Sequence, residues 1–346
     1  MGATVGTLLI LELAFRSFSH AVPLAPVEQL QRATVTFPPG RAVGPCRAEE
    51  SQPLGALVRS SPFTDIVYEL KPDLDTCFQG GHVRTNHAGF RAGREYAVAK
   101  RSGTLRILGL GDSLMFGQGV SDEETYANKI EQQLPQILHR SVEFMNLAVP
   151  GYNTAIEAGV LQHRGMRYHP DVIVLHWCGN DFAVPYFLSQ SATPPSLHQS
   201  ALLAWLRQGL LKKQETQLPF GVRAWGDLVE TPSAFINYAP DPAEIPDAYH
   251  WMIGFKGVTH ALERIRALTV PAHIPVIVVA NHFYNVYRPP WVLKQAFTNR
   301  GFTVVMVDHP KEHWLNAKDA HLNALGHDAH AKKIMEALVQ LHVPTD

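Results

Sequence analysis

The sequence predicts an α/β fold in which a central parallel sheet of about five strands is covered by helices on both faces. Three observations lead there. Five short apolar runs rich in β-branched residues, 104–111, 142–149, 171–178, 275–281 and 302–308, have the length and continuity of strands buried on both faces. Amphipathic stretches separate them in alternation, the order that builds parallel sheets. The first run stops abruptly at Gly111-Asp112-Ser113, which sets a serine hydroxyl at the C-terminal tip of a buried strand, where open α/β sheets bind ligands.

The elements follow in chain order. Residues 1–15 are apolar except for Glu12 and precede Arg16, a run shorter than the roughly 20 residues that span a bilayer. Ser19-His20-Ala21 has the small-x-small form of a cleavage site, although no Lys or Arg precedes the apolar run. Residues 1–21 are therefore expected to be an export signal or a trimmed membrane anchor, which would make the protein extracytoplasmic or membrane-anchored. A frayed start of a cytoplasmic protein is the alternative. A myristoylation reading of Gly2 fails at Gly6, where Ser or Thr is needed. Residues 22–61, rich in Pro and polar residues, read as a linker, and 62–103 as a compact accessory segment.

The main domain is expected over 104–346. Ser121-Asp122-Glu123-Glu124 is a capping box that opens a helix to about residue 138. Further helices are expected over 154–168, 248–268, 290–300 and 324–341, the last with Ile334, Met335, Leu338 and Leu341 on one face. A Pro- and aromatic-rich stretch at about 185–246 breaks the alternation and reads as an insertion, a lid or substrate wall over the strand tips.

Composition narrows the function. With 346 residues, 46% hydrophobic and a net charge of -1, the chain can bury a large core and has no electrostatic case for nucleic acid. Membrane contact is expected only through the N-terminal segment. The three cysteines form no Cys-x-x-Cys, which disfavours structural zinc. Cys46 and Cys77 are expected to pair if the protein is exported, and Cys178 reads as a small buried hydrophobe. Of the 18 histidines, His321, His327 and His330 cluster late, but helix-borne histidines usually face solvent, so no metal is expected. His176, inside a strand, reads as a hydrogen-bonded core residue. Gly109-x-Gly111 does not open a dinucleotide fingerprint, because Leu114 holds the third glycine position and Asp112 would repel a pyrophosphate.

Four segments converge on one edge of such a sheet: 111–113, 150–153, 179–181 and 319–323. Gly-Asp-Ser at 111–113, a glycine after the second strand, Gly179-Asn180-Asp181 and a late Asp319-Ala320-His321 together resemble the SGNH hydrolases, also called GDSL esterases. The likeness covers about 104–182 and 302–341, with an upstream Asn86-x-x-Gly89-Phe90-Arg91 element whose residues read as pocket rim or packing. It implies an SGNH-type three-layer sandwich with flavodoxin-like strand order and no cofactor. Two departures stand out: Gly179 is adjacent to Asn180 instead of two before it, and the last block is Asp-x-His instead of Asp-x-x-His. In extended backbone, residues two apart point the same way, so Asp319 can still orient His321.

By that resemblance Ser113 is the nucleophile, His321 the base and Asp319 its partner. The Ser113 and Gly151 N–H groups and the Asn180 amide are the oxyanion donors. Asp112 and Asp181 are expected to tie down loops. Glycine at 151 is expected to let the backbone approach the substrate. The implied activity is hydrolysis of an O-acyl ester, acetyl among the candidates, of a carbohydrate or other small molecule. The alternatives are an O-acyltransferase with the same triad and, less favoured, a non-catalytic binding module.

Overall fold

The computed structural model describes residues 46–189, 223–231, 245–281, 290–341 and 343. The expected export signal or anchor, residues 22–45 of the expected linker and much of the insertion lie outside the described residues. Among the described residues no helix is long and apolar enough to cross a membrane.

Five parallel strands form the sheet: β1 Leu105–Gly111, β2 Val142–Asn146, β3 Val172–Trp177, β4 Val276–Ala280 and β5 Thr303–Met306. Their spatial order, β2-β1-β3-β4-β5, is flavodoxin-like, and the direction of winding reverses between β1 and β3. Each expected strand is a few residues too long. Leu147, Val149 and Val307 are buried in the loops beyond the strands, so their apolarity does not mark pairing. Every residue of β1, β3 and β4 is buried, and of the two edge strands β2 is buried at four of its five residues whereas β5 is half-exposed.

Helices α1 Tyr126–Leu138 and α5 Ala324–Gln340 pack together, as do α2 Thr154–Val160 and α3 Gly254–Thr269, giving a three-layer α/β/α sandwich. α4 Pro290–Thr298 packs beside β5. The capping box of Ser121 and Glu124 forms, but it opens a 3-10 turn, Asp122–Glu124, instead of the helix; α1 starts after it with Thr125 as its cap, accepting the Asn128 N–H. The helix expected over 154–168 instead loosens after Val160 into a π turn, Leu161–Gly165, and then a 3-10 turn. From these turns the His163 ring stacks on Phe63 at 4.3 Å, and Arg164 donates to Glu69 (2.7 Å) and to the Ala88 carbonyl (2.6 Å). Similarly, a 3-10 turn, Asp247–Met252, precedes α3, which begins at Gly254 with φ +67°.

Residues 46–61, expected as linker, are folded. Leu54–Leu57 is a helical turn, and Val58–Ser60 pairs antiparallel with Tyr68–Leu70. Cys46 and Cys77 are joined by a disulfide, tying this stretch to the hairpin Asp75–Phe78/Gly81–Arg84. These contacts are non-local, so no sequence period announces them. Within the upstream element, the Asn86 side chain accepts from the Ala88 and Phe90 N–H groups, closing a turn. Arg91 is buried and donates to Asp122 and to the carbonyls of Phe116 and Gly117. The element is packing, holding the accessory segment against the loop after Ser113.

Candidate active site

Gly109 and Gly111 explain how the chain turns at the end of β1. A Cβ on Gly109 would lie 2.6 Å from the Met115 sulfur, and one on Gly111 2.7 Å from Met115 Cβ. Their absence lets the turn Ser113–Phe116 fold back onto the strand, with Met115 buried against it. Asp112 caps that turn by accepting the Leu114 N–H (3.0 Å), which holds Ser113 at its first position.

The late block is extended. Asp319–Leu322 pairs antiparallel with Trp314–Asn316, with an irregular register, and its pleat sets Asp319 and His321 on one side. His321 Nε2 lies 2.8 Å from Ser113 Oγ, and His321 Nδ1 lies 2.5 Å from Asp319 Oδ1. The His321 N–H also donates to that carboxylate oxygen (3.0 Å). Partial burial works to raise the Asp319 carboxyl, but these bonds and the imidazole outweigh it, and its pKa is lowered. With Nδ1–H directed at Asp319, Nε2 is free to accept the serine proton. The spacing Asp-x-His thus suits a strand as well as the longer spacing would suit a looser loop.

Asp112 is the hub on the other side of the serine. Its Oδ2 accepts from the Asn180 amide (2.8 Å) and the Cys178 thiol (3.1 Å), with Ser113 Oγ at 3.3 Å. One N–H of Asn180 is thereby fixed, leaving the second for another acceptor. Asp181 accepts from the Thr154 hydroxyl (2.6 Å) and the Cys178 N–H (2.7 Å), which joins the loop after β3 to the start of α2. Burial, followed by the Asp112 charge, raises the Asp181 carboxyl to about 8. Behind it Glu157 is wholly buried, and neither of its oxygens has a hydrogen-bond partner. Burial and the neighbouring carboxyls push its pKa well up.

Gly151 has φ +80°, and a Cβ there would come within 2.2 Å of the Tyr186 ring. The space that a side chain at 151 would need is therefore filled by Tyr186. The cavity beside Ser113 measures about 340 Å³ and is lined by Asp112, Leu114, Cys178, Asn180 and Tyr186. Asn281, His309, Lys318 and Ala320, with Asp319 and His321, complete the lining.

Several of these residues were not singled out from the sequence. Asn281 and His309 lie just past β4 and β5, so the strand-tip rule that picked out Ser113 applies to them too. Tyr186 begins the insertion, where the sequence pattern is weakest. Cys178 is not the core hydrophobe expected. It is half-buried in the cavity wall, and burial together with Asp112 raises its thiol.

The late histidines divide. His327 and His330, expected at the surface of the last helix, are fully buried. The His327 Nδ1 accepts the Tyr126 N–H (3.2 Å), and His330 Nε2 lies 2.6 Å from the Asn281 side chain. His176 meets the Tyr126 hydroxyl at 2.9 Å, the core role expected of it. Burial depresses all three imidazoles, His330 to about 4, so they stay neutral near neutral pH. Among the described residues the one grouping of metal-ligand atoms is Cys46, Glu50 and Cys77, whose two sulfurs are already bonded to each other.

No curated protein matches the sequence. Among solved structures, the chain is similar to the esterase EstA from Pseudoalteromonas sp., at 11% identity and TM-score 0.42, covering 68% of this chain and 97% of that one. It is also similar to Axe2, an acetyl-xylooligosaccharide esterase from Geobacillus Stearmophilus, at 13% identity and TM-score 0.40, over 69% and 95% of the two chains. A family 3 carbohydrate esterase from Clostridium thermocellum matches at 14% identity and TM-score 0.36, over 70% and 100%. The model of the GDSL-like lipase/acylhydrolase family matches residues 110–329, which span all four of the converging segments. The chain belongs to the GDSL-like lipase/acylhydrolase family and is a hydrolase of ester bonds.

Proposed function

We propose that the protein removes a short O-acyl group, such as acetyl, from a polyhydroxylated alcohol of the carbohydrate class through a Ser113-His321-Asp319 triad. The observation that carries this reading is the 2.8 Å approach of His321 Nε2 to Ser113 Oγ, with Asp319 on the far side of the ring. Ser113 Oγ attacks the ester carbonyl while its proton passes to His321 Nε2. The resulting oxyanion is met by the Ser113 and Gly151 N–H groups and the free N–H of Asn180. Collapse breaks the ester C–O bond, and His321 returns its proton to the departing alcohol oxygen. Water then attacks the acyl-serine, again giving its proton to His321, and releases the acid with Ser113 restored.

The leaving alcohol must face His321 to receive that proton. The cavity that holds His321 is also lined by Asn281, His309 and Lys318, hydrogen-bonding groups suited to hydroxyls rather than to a lipid. Hydrolysis of p-nitrophenyl acetate and of acetylated sugars tests the reading. Ser113→Ala should reduce kcat on the order of 10³-fold or more, and equal rates in the two proteins would refute it. Asn180→Ala should cost about 10²–10³ in kcat. Sugar acceptors added to the assay separate hydrolysis from acyl transfer: acceleration by acceptor points to transfer.

A further inference from the structure

The geometry points to Tyr186 as the wall that limits the acyl group to short chains, an inference that rests on the esterase reading of the same cavity. A carbonyl carbon bonded to Ser113 Oγ carries three other substituents. Its oxygen turns to the oxyanion donors, and its leaving oxygen must face His321. The acyl chain takes the remaining direction, away from the Asp319–Leu322 strand. Apart from that strand and Lys318 before it, the cavity around Ser113 is lined by Asp112, Leu114, Cys178, Asn180, Tyr186, Asn281 and His309. Asp112, Cys178 and Asn180 are bonded to one another, and Leu114 belongs to the serine turn. Tyr186 is the largest side chain left, and the one that comes from the insertion.

Its position is set by the backbone. The Tyr186 N–H donates to the Gly151 carbonyl (3.3 Å), and its own carbonyl accepts the Thr231 N–H (2.9 Å). The Thr231 hydroxyl donates to the Pro185 carbonyl (3.0 Å), and the next residue, Phe187, is buried in the core. The ring base then lies on Gly151, in the space a side chain at 151 would need. Held from both sides, the ring is a preformed barrier that an acetyl group clears and a longer chain meets.

The test is the ratio of kcat/KM for p-nitrophenyl acetate to that for the hexanoate in wild type, Tyr186→Phe and Tyr186→Ala. Wild type and Tyr186→Phe should both favour acetate, and Tyr186→Ala should move the ratio toward hexanoate by about tenfold or more. A ratio unmoved in Tyr186→Ala, or moved as far in Tyr186→Phe, overturns the assignment. Should the alanine variant fail to fold, wild type alone decides. A methylphosphonate p-nitrophenyl ester should label Ser113 about tenfold faster than its hexyl counterpart, and equal labelling rates overturn the wall. Ester turnover with normal Ser113 labelling but no chain-length effect sinks only this inference. Absence of both turnover and labelling removes the esterase reading and this inference with it.

Discussion

Two polar clusters are buried beside the Ser113 turn, and they are built on opposite terms. Around Arg91 every N–H of the guanidinium has an acceptor. Nε donates to Asp122 (3.0 Å), Nη1 to Phe116 and Gly117 (2.6 and 2.7 Å), and Nη2 to Val120 and His82 (2.7 and 3.3 Å). Behind Ser113 the supply of donors thins with depth. Asp112 accepts from the Leu114, Asn180 and Cys178 donors, Asp181 from Thr154 and Cys178, and Glu157 from none. The first cluster neutralises charge with charge and acts as a joint. The second avoids charge by keeping protons on its deeper acids. A buried carboxyl without donors among the described residues is a destabilising feature that the surrounding fold tolerates.

The joint should be the more costly of the two to break. Arg91→Met leaves the Phe116 and Gly117 carbonyls and one Asp122 oxygen without their donor, and should destabilise the protein by about 3–5 kcal/mol. Urea unfolding of the two proteins measures it. A loss below about 1 kcal/mol, the size of one ordinary hydrogen bond, would mean that the accessory segment is held elsewhere.

The acid cluster should respond with the opposite sign. Glu157→Met removes an unpartnered carboxyl and keeps most of its volume, so it should stabilise the fold at pH 7 by about 1–3 kcal/mol. The same denaturant series checks this. Destabilisation would show that the Glu157 carboxyl has a role that its surroundings do not reveal.

The contrast also separates what could be read in the sequence from what could not. The five strands were legible from the alternation, which also set the segments holding Ser113, Asn180 and His321 at one sheet edge; the residues themselves were singled out by the SGNH resemblance. Asp319 came from the same resemblance, and the side-chain period of extended backbone accounts for its shorter spacing to His321. Tyr186 was not legible, since the insertion has no period and its position depends on bonds to Gly151 and Thr231. Nor was the burial of His327 and His330. Helical spacing identifies a face, but whether polar side chains on it are buried depends on partners such as Tyr126 and Asn281, which lie far away in the chain. The linker reading of 46–61 failed for the same reason, since a disulfide and a strand pairing order a stretch whose own pattern is polar.

The effect expected to be smallest at pH 4, about 1 kcal/mol, is also the most specific to the acid cluster. Below about pH 4 the Asp181 carboxyl holds its proton whether the chain is folded or unfolded. As pH rises, the unfolded chain releases that proton near the ordinary aspartate value, while the folded protein keeps it until about 8. The folded state then binds more protons than the unfolded state, so stability from this group declines as pH climbs from about 4 toward about 8 and levels off beyond. Asp319, whose pKa is lowered, acts in a different window: its contribution is present above the ordinary aspartate value and disappears only on acidification. Asp181→Asn cannot ionise but gives up an acceptor for the Cys178 N–H, a cost of about 1 kcal/mol at every pH. The variant should therefore be the less stable protein at pH 4, and the order should reverse as pH rises toward 8. Thermal unfolding of both proteins across that range checks it, and parallel curves would place the proton of the acid cluster somewhere other than Asp181.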